Sequence, residues 1–256
     1  MQVQYLAFIT DIHGNLNILK KFLESCENHN LPPAFVILGG DITGSYRNYL
    51  KLTETEESFE KWKEKSLREA LALLDGYPGR TFAMLGNDDF ESYCGIMDQD
   101  SNVESLNYRI VRLEEIDHYL VGFQYVPPTP FMTRFELSEK ELEKKLKALL
   151  EQVPDHKKAI WIFHSPPYDS GLDNTSDLLD GKIIRVKTGS RAVRKAIEKY
   201  KPKLFLCGHI HESPGKIWIG STLCINPGSP ISTIIPQAVM VDLNDMKEFK
   251  LIPMGE

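Results

Sequence analysis

The chain has 256 residues, of which 42% are hydrophobic and 26% are charged, a composition within the ordinary range of globular proteins. Its 30 basic and 36 acidic residues give a net charge of -6, which argues mildly against a protein that binds nucleic acid through a broad basic surface. A small anionic substrate remains compatible with this charge, because a metal site supplies local positive charge that the formal count omits.

Short apolar runs alternate with longer amphipathic segments along the chain. The runs predict strands at Tyr5–Thr10, Phe35–Gly39, Thr81–Leu85, Tyr119–Tyr125, Ala159–His164, Lys203–Gly208, Lys216–Ile219 and Ala238–Leu243. The amphipathic segments predict helices at Leu16–Cys26, Glu56–Leu74, Glu139–Gln152 and Arg191–Tyr200. Residues 108–120 carry alternating apolar residues that suit antiparallel strands or a hairpin. The pattern indicates one α/β domain over residues 1–256, with a mixed or double sheet.

The four cysteines are scattered and form no C-x-x-C pair, which favours a reducing compartment without disulfides: Cys26, Cys94, Cys207 and Cys224. The N-terminal residues lack the basic and long apolar regions of a signal peptide. No stretch approaches the roughly 18 apolar residues that a membrane helix needs. We therefore expect a cytoplasmic protein that does not contact a membrane.

Five polar clusters occur where predicted strands end: Asp11-Ile12-His13, Gly40-Asp41, Gly86-Asn87-Asp88-Asp89, His164 and Gly208-His209-Ile210-His211. In α/β sheets, ligand sites gather outside the carboxyl ends of the strands, so these clusters are expected to converge. In an extended segment residues i and i+2 point the same way, so Asp11 and His13 can address one ion, as can His209 and His211. The sequence thus predicts one shared site.

The side chains of these clusters combine carboxylate, imidazole and amide oxygen, without thiolate. This set suits Mn, Fe, Zn, Ni or Mg rather than a structural zinc held by cysteines. A carboxylate bridging two cations about 3.5–4 Å apart would complete a two-metal site for hydrolysis. Each cluster alone has a simpler interpretation as a turn, a cap or a hydrogen-bonded histidine. The five together, each at the end of a strand, favour metal binding.

These clusters, in this order, resemble the motifs of the calcineurin-like metallophosphoesterases. The segments around His164, His209 and Asn226 are similar to those of the small Icc-like predicted phosphoesterases within that family. The resemblance extends from residue 11 to the Asn226-Pro-Gly-Ser turn. It implies an α/β (α+β) fold of two packed mixed β-sheets flanked by helices, in four layers, with a dimetal site at one edge.

The resemblance also implies a ligand set and a reaction. Asp11, His13 and His211 would hold the first metal, and Asn87, His164 and His209 the second, with Asp41 bridging. A hydroxide bridging the metals would attack phosphorus in line. The cofactors would be two divalent ions, with Mn as the first choice and Fe, Zn, Ni or Mg as alternatives. We assign Asp41 and Asn87 to the catalytic set as well.

Asp88 is the main departure from the family pattern, because many members have a histidine after the motif asparagine. An ionised Asp88 would repel a dianionic phosphomonoester, so we hypothesise a preference for monoanionic diesters or nucleotide-like substrates. If Asp88 were protonated through proximity to Asp89 or to the substrate phosphate, it could act as a general acid. A loop-capping role explains Asp88 as well. Tyr46 and Arg47 are further candidates for contact with the phosphate, or solvated loop residues.

Two other classes of function stay open at this stage. A binding or scaffold protein with the same fold and no catalysis is disfavoured by the complete ligand set. A nuclease acting on long DNA or RNA is disfavoured by the acidic charge. We expect a metal-dependent hydrolase with a small phosphoester as partner, without membrane or nucleic-acid partners, and the sequence predicts no oligomeric state.

Overall fold

The structure, a computed structural model, describes residues 4–45, 49–50, 58–99, 102–179, 182–229, 237–245 and 249–253. The strands are β1 Tyr5–Ile9, β2 Phe35–Gly39, β3 Arg80–Met84, β4 Glu104–Ser105, β5 Ile110–Leu113, β6 His118–Phe123, β7 Ala159–Phe163, β8 Asn174–Leu179, β9 Lys182–Lys187, β10 Leu204–Leu206, β11 Gly215–Ile219, β12 Thr222–Asn226, β13 Gln237–Asp242 and β14 Phe249–Pro253. The helices are α1 Leu16–Glu27, α2 Phe59–Asp75, α3 Tyr93–Gln99, α4 Glu139–Leu150 and α5 Arg191–Tyr200.

Two six-stranded sheets form the centre of the molecule. The first has the order β14-β13-β1-β2-β3-β4, and the second has the order β11-β12-β10-β7-β6-β5. In the first sheet β1, β2 and β3 are parallel, and in the second β6, β7, β10 and β12 are parallel. The expected mixed sheets are therefore present, and β8 and β9 form a separate antiparallel hairpin.

The two sheets pack face to face. Along the strands, side chains that point into the core between the sheets alternate with apolar side chains that point outward to the helices. Phe8 and Ile37 of the first sheet pack in one cluster with Ile160 and Leu206 of the second. The outer face of the first sheet is covered by α1 and α2, and that of the second by α4 and α5. The result is the four-layer arrangement of helices, two sheets and helices that the resemblance implied.

The predicted strands agree with the structure to within two residues at each end. The helix predicted from residue 56 begins at Phe59 because the Ser58 side chain accepts a hydrogen bond from the Lys61 amide and caps it; residues 56 and 57 lie outside the described residues. The antiparallel pair expected in residues 108–120 is β5 with β6. The short elements β4 and α3 and the β8–β9 hairpin were not predicted.

Helix α4 begins with a capping box formed by Ser138 and Glu141. The Ser138 hydroxyl accepts from the Glu141 amide, and the Glu141 carboxylate accepts from the Ser138 amide. Leu142, Leu146 and Leu149 then lie on the buried face of the helix. None of the helices that the structure describes is long and apolar enough to cross a membrane.

Candidate metal centre

The loops that leave β1, β2 and β10 carry ligand residues in an unusual backbone conformation. Asp11, His13, Asp41 and His209 have φ values of 54°, 43°, 46° and 66°. Residues other than glycine rarely occupy this left-handed region, and such strain concentrates at functional sites. Hydrogen bonds between the first two loops hold it in place, because the Asp11 amide donates to the Gly40 carbonyl and the His13 amide to the Asp41 carbonyl, each at 2.9 Å.

Two glycines let the loops approach the ligand carboxylates. A Cβ added to Gly208 would lie 2.1 Å from Oδ2 of Asp11, and one added to Gly86 would lie 2.2 Å from Oδ1 of Asp41. Both distances are shorter than any contact that a side chain could make, so these positions require the absence of a side chain. The sequence motifs Gly-Asn and Gly-His thus have a steric explanation.

The first group of candidate ligands consists of Asp11, His13, Asp41 and His211. One ligand atom from each lies within 4.8 Å of all the others. Nε2 of His13 is 3.1 Å from Nε2 of His211, and Nε2 of His211 is 3.2 Å from Oδ1 of Asp11. The group therefore directs two imidazole nitrogens and two carboxylates at one point.

The second group consists of Asp41, His164 and His209, whose ligand atoms also lie within 4.8 Å of one another. Oδ1 of Asn87 is 3.1 Å from Nε2 of His164 and extends the group. Asp41 belongs to both groups: its Oδ2 is 3.7 Å from Nε2 of His13 and 3.5 Å from Nε2 of His164. All seven ligand residues expected from the sequence thus come together around Asp41.

The chemistry of this donor set fits divalent cations. Nδ1 of His164 faces the Gly39 carbonyl at 3.2 Å, so the ring can donate there and turn the lone pair of Nε2 toward the group. The Asn87 amide donates to the Thr133 hydroxyl at 2.9 Å, which assigns the oxygen of this side chain to the site. Imidazole nitrogens and carboxylate or amide oxygens are the ligands that ions such as Mn²⁺ and Zn²⁺ accept.

Attraction between carboxylates and imidazoles contributes to the geometry of the site. Burial alone would raise the pKa of Asp11 and Asp41, but His211 and His164 outweigh it and keep both values below the ordinary range. Burial opposes charge on His164, yet Asp41 raises its pKa to about 9. Burial and the neighbouring His164 lower the pKa of His209 to about 4. The carboxylates are therefore ionised and ready to accept a cation.

Asp88 lies at the edge of the first group. Its Oδ2 is 3.5 Å from Nδ1 of His13, its Oδ1 is 3.7 Å from the Lys63 ammonium, and its side chain is 27% exposed. Its amide donates to Oδ1 of Asp41 at 2.8 Å. Asp88 is thus at the site, as expected, with its carboxylate between a histidine and a lysine.

Asp89 has a different environment from Asp88. Its buried carboxylate accepts hydrogen bonds from the amides of Ile42, Thr43 and Gly86 and from the Thr43 hydroxyl. Burial, together with the charge of Asp41, raises the pKa of Asp89 above its ordinary value. Asp89 therefore joins the loops after β2 and β3, a role that its sequence neighbourhood does not predict.

Several residues that support the ligands were not foreseen from the sequence. The Thr10 hydroxyl donates to Oδ2 of Asp11 at 2.7 Å, and the Ser229 hydroxyl donates to the Asp11 carbonyl at 2.8 Å. Lys63 is the supporting residue that the sequence could have indicated, because it places a charge on the otherwise apolar face of α2. Tyr46 and Arg47, suggested as phosphate contacts, lie outside the described residues.

Comparison with known sequences agrees with this geometry. The sequence profile described as calcineurin-like phosphoesterase matches residues 5–213. The chain belongs to the calcineurin-like phosphoesterase family. This family is metal-dependent, and the matched region contains every residue of the two ligand groups. The chain is 29% identical over 256 residues to the uncharacterized protein MJ1162 of Methanocaldococcus jannaschii, with 96% of this chain and 100% of the relative covered.

Solved structures share the fold of the chain. One crystal structure superposes with a TM-score of 0.74 at 18% identity, covering 99% of this chain and 100% of the other. The crystal structure of TT1561 of Thermus thermophilus superposes with a TM-score of 0.65 at 16% identity and the same coverage. At these identities the likeness shows a shared architecture of packed sheets and helices.

Proposed function

We propose that this chain is a metal-dependent phosphoester hydrolase that uses two divalent cations. The observation that carries the proposal is the arrangement of two groups of ligand atoms, each within 4.8 Å, that share Asp41. A single carboxylate common to two ligand groups is the arrangement that dinuclear hydrolases use. Mn²⁺ is our first choice of ion, because the donors are oxygen and imidazole nitrogen without thiolate.

The chain's own residues prepare this site before a substrate arrives. The two ligand groups that share Asp41 would hold two divalent cations, which would supply a water of lowered pKa and would offset charge on the phosphoryl oxygens. Asp41 fixes the spacing of the two ligand groups, and the Asp88 amide orients it through Oδ1. The His209 amide donates to both oxygens of Asp11, at 3.1 and 3.0 Å, and holds that carboxylate in one orientation. Fixed ligands of this kind avoid reorganisation during the reaction.

For the substrate, we propose a phosphodiester or a nucleotide-like molecule. A phosphomonoester carries a charge of about -1.5 to -2 at neutral pH, whereas a diester carries one negative charge. Asp88 stands where many family members have histidine, and Lys63 offsets its charge without adding a net cation. In the part of the chain that the structure describes, the position after Asn87 therefore supplies no positive group of the kind that would favour a dianionic monoester.

The test is hydrolysis of bis-p-nitrophenyl phosphate and p-nitrophenyl phosphate by protein loaded with Mn²⁺, and then with Ni²⁺, Fe²⁺, Zn²⁺ or Mg²⁺. We expect faster hydrolysis of the diester. Asp41→Asn and His209→Ala should each lower the rate at least about a hundredfold, the scale of losing one electrostatic contact to a transition state. His29→Ala is the matched control, because His29 packs on Tyr5 at the opposite end of β1.

Three outcomes separate this proposal from its alternatives. Native rates in both Asp41→Asn and His209→Ala would contradict the catalytic assignment. Binding of two ions without hydrolysis of any phosphoester would favour a binding or scaffold protein. A strong preference for the monoester would leave the hydrolase in place and contradict the proposed substrate class.

A further inference from the structure

Lys63 is a charged residue in an apolar position. It lies four residues after Phe59 and four before Leu67 on α2, so it shares their face of the helix, and it is only 1% exposed. Its ammonium is 5.3 Å from the ring centre of Phe59 and 4.9 Å from that of Phe90. Aromatic faces attract a cation but do not replace its hydration, so a buried ammonium needs an anionic partner as well.

The partner of Lys63 is Asp88. The ammonium donates to the Asp88 backbone carbonyl and lies 3.7 Å from Oδ1 of its carboxylate. The neighbouring Asp89 already accepts four hydrogen bonds from the loops after β2 and β3. Lys63 thus fixes both the backbone and the side chain of Asp88 from a helix that carries none of the proposed ligands.

The other oxygen of Asp88 faces a ligand histidine. Oδ2 is 3.5 Å from Nδ1 of His13, while Nε2 of the same ring is 3.1 Å from Nε2 of His211 in the first ligand group. A histidine that binds a metal through one nitrogen carries its proton on the other, and a carboxylate on that side fixes the tautomer and the ring plane. Asp88 occupies that side of His13.

We propose that Lys63 and Asp88 are positioning residues for His13: the Lys63 ammonium holds the Asp88 carboxylate, which accepts the Nδ1–H of His13 so that Nε2 faces the first metal. This inference rests on the proposed function, in which His13 is a metal ligand. It gives Asp88 a role at the metal rather than at the leaving group of the substrate. It also connects α2 to the affinity of one of the two ions.

The test is a titration of metal-free protein with Mn²⁺, in which calorimetry and electron paramagnetic resonance measure the affinity for each of the two ions. Lys63→Met and Asp88→Asn should each lower the affinity for one of the two ions about tenfold to a hundredfold, the usual effect of losing a residue that orients a ligand. The affinity for the other ion should not change. The double variant with Lys63→Met and Asp88→Asn should bind Mn²⁺ no more weakly than the single variant of lower affinity, because both changes break the same series of contacts.

The controls separate positioning from folding. Lys65→Met, at an exposed position on the same helix, should bind both ions with native affinity. Lys63→Met places an apolar side chain among the rings of Phe59 and Phe90, and the carboxylate of Asp88 that it leaves without this partner is 27% exposed and can be hydrated. If it nevertheless unfolds, Asp88→Asn, at a partly exposed position, carries the test alone. Rates of both variants should recover when the metal concentration is raised to saturation.

Native affinity for both ions in Lys63→Met and Asp88→Asn would overturn the proposal. A rate of Asp88→Asn that stays low at saturating metal would also overturn it and assign Asp88 to the substrate. If the native chain bound no divalent ion at all, the proposed function would fail, and this inference with it, before either variant was compared.

Discussion

The side-chain amide of Asn87 donates a hydrogen bond to the hydroxyl of Thr133, 2.9 Å away, and this contact turns the Asn87 oxygen toward Nε2 of His164. Thr133 in turn donates to Glu136, whose carboxylate also accepts from the Thr129 hydroxyl. Burial would raise the pKa of Glu136, but these hydroxyls outweigh it and keep the value below the ordinary one. The segment 129–136 therefore sets the orientation of a proposed ligand on another loop.

Thr133→Val should lower the affinity for one of the two ions about tenfold to a hundredfold, because the Asn87 side chain can then rotate away from the metal. Titration of the metal-free variant with Mn²⁺ measures this change. Phe131→Ala is the control, since Phe131 lies in the same segment and is 81% exposed. Equal affinity of both ions in Thr133→Val and the native chain would show that Asn87 needs no support from this segment.

Gly208→Ala should abolish binding of at least one ion, because its methyl group would lie 2.1 Å from Oδ2 of Asp11. We also expect a loss of about 1–3 kcal/mol in the free energy of unfolding, the usual cost of overpacking a buried site. Gly95→Ala is the matched control: a Cβ there meets nothing within 4 Å, and the residue lies in α3. Alanine at that helical position should stabilise by about 0.5–1 kcal/mol. Metal content and thermal unfolding of both variants check this.

Asp89→Ala should destabilise the fold more than it alters the metal ligands. The change leaves the amides of Ile42, Thr43 and Gly86 without their acceptor, at a cost of about 3 kcal/mol or more. For a domain of this size the midpoint of thermal unfolding should fall by roughly 6–12 °C. Glu91→Ala, two residues later at an exposed position, should unfold at the native temperature. An unchanged midpoint in Asp89→Ala would contradict a structural role.

The metal-free protein should be most stable near the ordinary histidine pKa of about 6.5. His13 and His164 have pKa values raised to about 8 and about 9, so their contribution is complete below the unfolded value and is lost as the pH rises through the folded values. His209 has a pKa lowered to about 4, so stability is lost as the pH falls from 6.5 toward 4. Thermal unfolding in a chelator from pH 4 to 10 measures both slopes. A midpoint that rose steadily from pH 6.5 to 9 would contradict the attraction between imidazoles and carboxylates.

The position of the candidate site at the ends of the parallel strands was predictable, because two simple rules apply there together. Apolar runs locate the strands, and polar residues that follow at once must lie at the carboxyl edge of the sheet. Asp11, Asp41 and His164 each follow such a run, so their convergence could be expected from order alone. Asp41, which the resemblance implied as the bridging residue, belongs to both groups of ligand atoms.

The contacts that orient these ligands were not predictable, because they join distant segments. Thr133 lies 46 positions from Asn87, and nothing in its neighbourhood marks it as a partner. The β8–β9 hairpin was missed for a related reason: its first strand, with the sequence Asn-Thr-Ser-Asp-Leu-Leu, lacks a regular apolar alternation. Lys63 could have been found, since a lysine on an apolar helical stripe is itself a departure from the pattern.

The left-handed backbone of Asp11, His13, Asp41 and His209 means that the polypeptide itself, rather than the ion, fixes the positions of these ligands. Strained loops that are locked by hydrogen bonds keep their shape when a bound ion leaves, so exchange of one ion for another needs no rearrangement of the chain. A rigid site selects ions by their size and preferred geometry rather than by adapting to each of them. We therefore expect the protein to bind divalent ions of different radius with different affinities.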